Sequence, residues 1–171
     1  MRTLGRIIGI GTVAMAALTL TACGGDDDKA AAAPTRVCTA DDIGVTGGFG
    51  ENPKITIPDD CKPPTELISK DLVAGSGPGA TAGQALSMNY SLVTWSDKKK
   101  LDSSFDRGKP FPLTLGAGQV IQGWDQGLVG IEQGARRLLI VPPTLGYGAG
   151  GNGVKPNETL VFVTDAVKIG Q

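Results

Sequence analysis

The chain contains no histidine. Ser–His and Cys–His nucleophile systems and His-based metal sites are therefore excluded. The carboxylates are scattered, with no obvious acid–base pair among them. Asp102 and Arg107, five apart, read as an ion pair, structural on spacing alone. The Gly-rich loop Leu145 to Val154 lacks the strand–loop–helix setting and the Lys of a phosphate cradle. A formal charge of −1 and the lack of a concentrated basic face argue against nucleic acid. Asp26–Asp28 and Lys98–Lys100 are like-charge runs that read as solvated segments, not as a cation site or a lipid patch. What remains is apolar: Tyr90, Phe111, Val120, Ile121, Trp124, Tyr147 and Phe162.

The elements that carry these residues are short. Leu86, Met88, Tyr90 and Leu92 alternate with Ser87, Asn89 and Ser91, which predicts a half-buried strand with Tyr90 inward. Ser96–Lys99 is a hairpin turn. Phe111–Leu115 alternates with its odd positions apolar, a second strand. Val120, Ile121, Trp124 and Leu128 share the spacing of an apolar stripe on a short helix. Leu67–Val73, Arg136–Val141 and Thr159–Thr164 are further strands, with Ala74–Gly79 a turn cluster. About six strands and one helix over some hundred residues make an α+β domain, its helix laid across a curved antiparallel sheet.

The N-terminal part is organised differently. Arg2 and Arg6 precede an uncharged apolar run, Ile7 to Leu20, as in an export signal. It closes on Leu20-Thr21-Ala22-Cys23, which resembles the bacterial lipobox, so residues 1–22 are expected to be a lipoprotein signal peptide and Cys23 the lipidated first residue. Residues 23–36 read as a flexible acidic and Ala-rich tether. Cys38 and Cys61 form an even pair for an oxidising compartment, and a disulfide closing the extension 37–64 is expected. Within it, Ile55-Thr56-Ile57 has the alternation of an extra strand.

Asn89-Tyr90-Ser91, Leu101-Asp102-Ser103-Ser104, Asp106 to Phe111, Gln119 to Trp124, Gly146-Tyr147-Gly148 and Thr159 to Phe162 occur together in a fixed order and spacing. In this the chain resembles the FKBP-type peptidyl-prolyl cis-trans isomerases over residues 65–171, in a bacterial lipoprotein form. The resemblance implies an antiparallel half-barrel of five to six strands around one short helix. It also implies isomerisation of X-Pro bonds in exported proteins, with no cofactor and no metal. Trp124 resembles the pocket floor, with Tyr90, Phe111, Val120, Ile121 and Phe162 as walls and Gln119 beside them. The Tyr147 hydroxyl and the Ile121 N–H resemble donors to the bound peptide, and Asp102 the buried acid of the rim with Arg107 as its basic partner. Leu101 stands where the family has an aromatic, and Val154 in place of a bulkier Ile on a shortened loop. The implied partners are proline-containing polypeptides, macrolide-type ligands, and the cell membrane through the N-terminal lipid, for an extracytoplasmic monomer. A non-catalytic proline-binding module would use the same residues. A purely structural domain would instead bury Tyr147 and Trp124 fully.

Overall fold

The computed structural model describes residues 34–170. The leader, Cys23 and the tether as far as residue 33 lie outside the described residues. Strands β1 (Gly44–Thr46) and β2 (Lys54–Thr56) form a separate two-stranded sheet. The main sheet has six strands: β3 (Ile68–Val73), β4 (Ala85–Thr94), β5 (Lys100–Ser103), β6 (Phe111–Thr114), β7 (Arg136–Val141) and β8 (Leu160–Ile169). Its order is β3-β7-β8-β4-β5, with β6 also paired to β4, and every pairing is antiparallel. One short helix, α1 (Gln122–Gly127), lies against it.

The inner face carries the main core. Leu86, Met88, Tyr90 and Leu92 of β4 meet Trp124 and Leu128, together with Leu139 and Val141 of β7 and Phe162 of β8. Trp124 and Leu128 are buried, but Val120 and Ile121 precede the helix, with Ile121 at its N-cap. The apolar stripe read from spacing thus runs from a loop into the helix. Gly123 and Gly127, four apart, are buried on it and lie against Val141 and Leu139. Glycine here permits a close approach of helix to strand that a Cβ would obstruct.

The expectation of a half-buried strand at β4 is corrected in its second half, and β7 beside β8 is buried throughout. All of Arg136–Val141 is buried, and the alternation of β4 fails after Tyr90, where residues 90–94 are buried on both faces. The cause is the N-terminal extension. Cys38, Ile43, Ile57 and Cys61 pack on Val93, Trp95, Leu138, Ile140, Val161 and Val163, a second core on the sheet's outer face. The disulfide Cys38–Cys61 closes this layer. Ile55 and Thr56 lie in a strand that pairs with β1 and does not extend the main sheet, while Ile57 is buried in the second core. Arg36, placed by sequence in the tether, is bound to Asp42 and Asp60, each at 2.9 Å, and so belongs to the folded extension. Likewise β8 runs to Ile169, five residues beyond the expected Thr164.

A buried ion pair fastens the extension. Arg136 and Asp165 are each 1% exposed and bond twice, Nε to Oδ1 at 2.6 Å and Nη2 to Oδ2 at 2.8 Å. Two further guanidinium protons go to the carbonyls of Gly47 (2.7 Å) and Glu51 (2.6 Å), and Gly50 N–H donates to Asp165 at 2.7 Å. Burying both charges is tolerable because they pair bidentately and four of the five guanidinium protons, with both carboxylate oxygens, have partners. That need is what ties the loop 47–51 to the sheet.

Candidate functional site

A cavity of about 230 Å³ opens between the inner face of the sheet, the helix and two loops. Trp124, 3% exposed, forms its floor. Three rings stand nearly perpendicular to the indole: Tyr90 at 5.2 Å, Phe162 at 5.5 Å and Phe111 at 6.2 Å between centroids. Edge-to-face contact is the favoured geometry for such rings, and it fixes the floor without a polar anchor. Trp124 Nε1 is buried with no hydrogen-bond partner among the described residues. Leaving that donor unmade costs roughly 1–3 kcal/mol, which the packing of the floor must offset.

Two loops complete the walls. Asp125 accepts from Gly116 N–H (2.8 Å) and Gly118 N–H (3.0 Å), and Gln119 Oε1 accepts from Thr114 N–H at 2.8 Å. These bonds hold the segment that delivers Gln119, Val120 and Ile121 to the cavity. The N–H of Ile121 has no acceptor among the described residues. Tyr147 follows the short 3-10 turn Pro143–Leu145 and is fixed by Gly148 N–H to Pro143 O (2.9 Å) and Gly150 N–H to Tyr147 O (2.7 Å). Its ring is half-buried and lines the cavity. Of the two residues that a purely structural domain would bury fully, Trp124 is buried, though it lines the cavity, whereas Tyr147 is only half-buried.

The polar rim is a three-residue network. Tyr90 Oη donates to Asp102 Oδ2 and accepts from Arg107 Nη2 at 2.7 Å, while Arg107 Nη1 also bonds Asp102 Oδ1. Burial alone would raise the Asp102 carboxyl. The bonds from Tyr90 and Arg107 outweigh it and hold the group below the usual aspartate range. Burial, then the neighbouring carboxylate, pushes the Tyr90 phenol up. The Arg107 guanidinium, bonded to both partners, is raised and stays charged.

Nine residues singled out from sequence line the cavity: Tyr90, Asp102, Phe111, Gln119, Val120, Ile121, Trp124, Tyr147 and Phe162. Arg107 reaches it only through Tyr90 and Asp102. Leu101 and Val154 are not brought to its wall. Leu101 neighbours Asp102 on a strand, so the period of two turns it to the opposite side, 38% exposed and beside Gly153. Val154 is buried in the core next to the cavity. Leu92, given no site role from sequence, also lines the cavity, and its alternation with Tyr90 carries that signal.

With the geometry in hand, comparison with known proteins is direct. A family model described as FKBP-type peptidyl-prolyl cis-trans isomerase matches residues 77–166. An FK506-binding protein of Streptomyces anulatus is 47% identical over 70% of this chain and 98% of its own length. An FK506-binding protein of Neisseria meningitidis serogroup B is 42% identical over 60% of this chain and 95% of its own. Among solved structures, FkpA from Escherichia coli superposes with a TM-score of 0.57 at 36% identity, covering 62% of this chain and 49% of that one. AtFKBP13 gives 0.55 at 34% identity, covering 61% and 94%. A single short helix on a six-stranded antiparallel sheet, an aromatic cavity floored by Trp124, and these matches agree: the chain belongs to the FKBP-type peptidyl-prolyl cis-trans isomerase family.

Proposed function

We propose that the protein isomerises X-Pro bonds of exported polypeptides by binding the prolyl ring against Trp124 and stabilising the twisted imide without covalent chemistry. The observation that carries this reading is an aromatic cavity lined by Ile121 and Tyr147, whose N–H and hydroxyl donate to no acceptor among the described residues. Resonance keeps the peptide bond planar, with a rotation barrier of roughly 18–20 kcal/mol. Twisting the bond removes that resonance and its charge separation. The twisted form is therefore less polar at the carbonyl than the planar ground state. An apolar wall of Tyr90, Phe111 and Phe162 favours it relative to water, which is differential binding in the useful direction. Donors at Ile121 and Tyr147 hold the flanking backbone and supply orientation.

The same cavity suits macrolide-type ligands, consistent with relatives named FK506-binding proteins. Leu20-Thr21-Ala22-Cys23 supports lipidation at Cys23 and a monomer tethered to the outside of the bacterial cell membrane. The disulfide Cys38–Cys61 fits an oxidising compartment. Relaxation of a Leu-Pro or Phe-Pro peptide, followed with wild type, Tyr147→Phe and Trp124→Ala, tests the catalytic reading. Faster relaxation that declines in folded variants supports it. An unaltered rate with folded wild type sinks it in favour of a non-catalytic proline-binding module. Metabolic labelling with a fatty acid, lost in Cys23→Ala, tests the anchor.

A further inference from the structure

Tyr90 stands at a split in the sheet. Along one edge of β4, Ala85–Met88 pair with β6 and Ser91–Val93 pair with β5. Asn89 and Tyr90 fall between these partners, while on the opposite edge both are paired with β8. The chain leaves the sheet at this split to form the loop that carries Arg107. A buried backbone donor and acceptor left there without partners would be costly.

Two serines take the place of the missing ladder. Tyr90 N–H donates to Ser104 Oγ at 2.8 Å, and Ser104 N–H donates back to Tyr90 O at 3.0 Å. Ser103 Oγ donates to the same carbonyl at 3.1 Å. The Ser104 hydroxyl has two acceptors in range, Asn89 Oδ1 at 3.0 Å and Tyr90 O at 3.4 Å, and donation to the shorter one leaves a lone pair for Tyr90 N–H. Ser104 is fully buried and does not line the cavity. Asp102, two residues earlier, holds the other end of the same tyrosine through its phenol. The run Asp102–Ser104 therefore grips Tyr90 at both its amide and its hydroxyl.

We infer that Ser104 is a positioning residue for the isomerase site, acting through Tyr90: its hydroxyl fixes the backbone from which the ring meets Trp124 and the phenol meets Asp102 and Arg107. The inference rests on the isomerase reading for its functional consequence, though not for its geometry. Loss of the hydroxyl frees Tyr90 N–H to seek another acceptor and lets the ring shift against the floor. A displacement of a fraction of an ångström at a positioning wall is expected to lower kcat/KM roughly tenfold.

The test compares wild type, Ser104→Ala, Tyr90→Leu and the double variant in peptide relaxation, with thermal unfolding to verify that each is folded. Tyr90→Leu removes both the ring and the phenol that the amide positions, so if Ser104 acts through Tyr90 its loss is largely absorbed in that background. Full activity in Ser104→Ala, or losses that multiply in the double variant, overturns the inference. A second readout is independent of turnover. The chain has two tyrosines, so the ring resonances of Tyr90 are expected to move or broaden in Ser104→Ala while those of Tyr147 stay. Unmoved Tyr90 resonances overturn the inference even if activity falls, and they decide the matter if wild type proves inactive. Should Ser104→Ala not fold, Asn89→Ala releases the hydroxyl without deleting it. A several-fold loss absorbed by Tyr90→Leu is then expected, and no change in activity or in the Tyr90 ring would reject the positioning role.

Discussion

Gly123→Ala separates the stability of this fold from its function. A Cβ at this position would lie 2.8 Å from Val141 Cγ2, closer still to Cγ1, and 3.2 Å from Val141 Cβ. Non-bonded carbons settle at about 3.5–4.0 Å, so a retreat on the order of 1 Å is required. Val141 is fully buried and its strand is paired on both sides, by β3 and β8. The helix is therefore the part that moves, and Trp124 moves with it. Overpacking of this kind costs about 1–3 kcal/mol. Alanine recovers about 1 kcal/mol of that through its better helix propensity. The net loss of stability is then roughly 0–2 kcal/mol, while a floor displaced by about 1 Å can cost 10²-fold in kcat/KM. Chemical denaturation beside peptide relaxation reads both quantities. Val141→Ala in the same chain removes the two nearest carbons and should restore most of the activity. A folded Gly123→Ala with activity within about twofold of wild type would refute this account of the helix contact.

Asp165→Asn leaves the Arg136 guanidinium buried without a counter-charge, and a loss of about 3–5 kcal/mol is expected in a urea melt. The double variant Arg136→Met with Asp165→Leu should be less harmful than that single change, and the reverse order would argue against a tight ion-pair clamp. Removing the disulfide with Cys38→Ser and Cys61→Ser opens a link between residues 23 apart and should cost roughly 3 kcal/mol, read as a lower urea midpoint. An unchanged midpoint would mean that the second core holds the extension unaided. The Asp102 carboxyl is lowered in the folded state, so its contribution is present above the unfolded value of about 3.9 and is lost as pH falls through the folded one. Activity should therefore be level down to about pH 4, and a decline already between pH 6 and 5 would show that Asp102 is not held as described.

How much of this was legible in the sequence follows from which interactions are local. The inward set Leu86, Met88, Tyr90 and Leu92 is visible because a strand repeats every two residues, whatever lies across from it. The cavity residues were found as motifs, and nine of them do converge. What one strand cannot reveal is what covers its other face. Val93, Leu138, Ile140, Val161 and Val163 read as strand interior, but their partners Cys38, Ile43 and Ile57 come from a segment up to a hundred and more residues away. The Arg136–Asp165 clamp is hidden for the same reason, since nothing near either residue announces the other. The helix failed differently. Its apolar positions begin at Val120 by spacing, yet Val120 and Ile121 are held in place by Gln119 and Asp125, whose side chains satisfy the loop's backbone before the first helical turn. The informative pair was Gly123 and Gly127, where the missing side chains set the distance to β7. A pattern search weighs the residues that fill space and passes over those that leave it. Here the empty positions decide how near Trp124 comes to the rings around it.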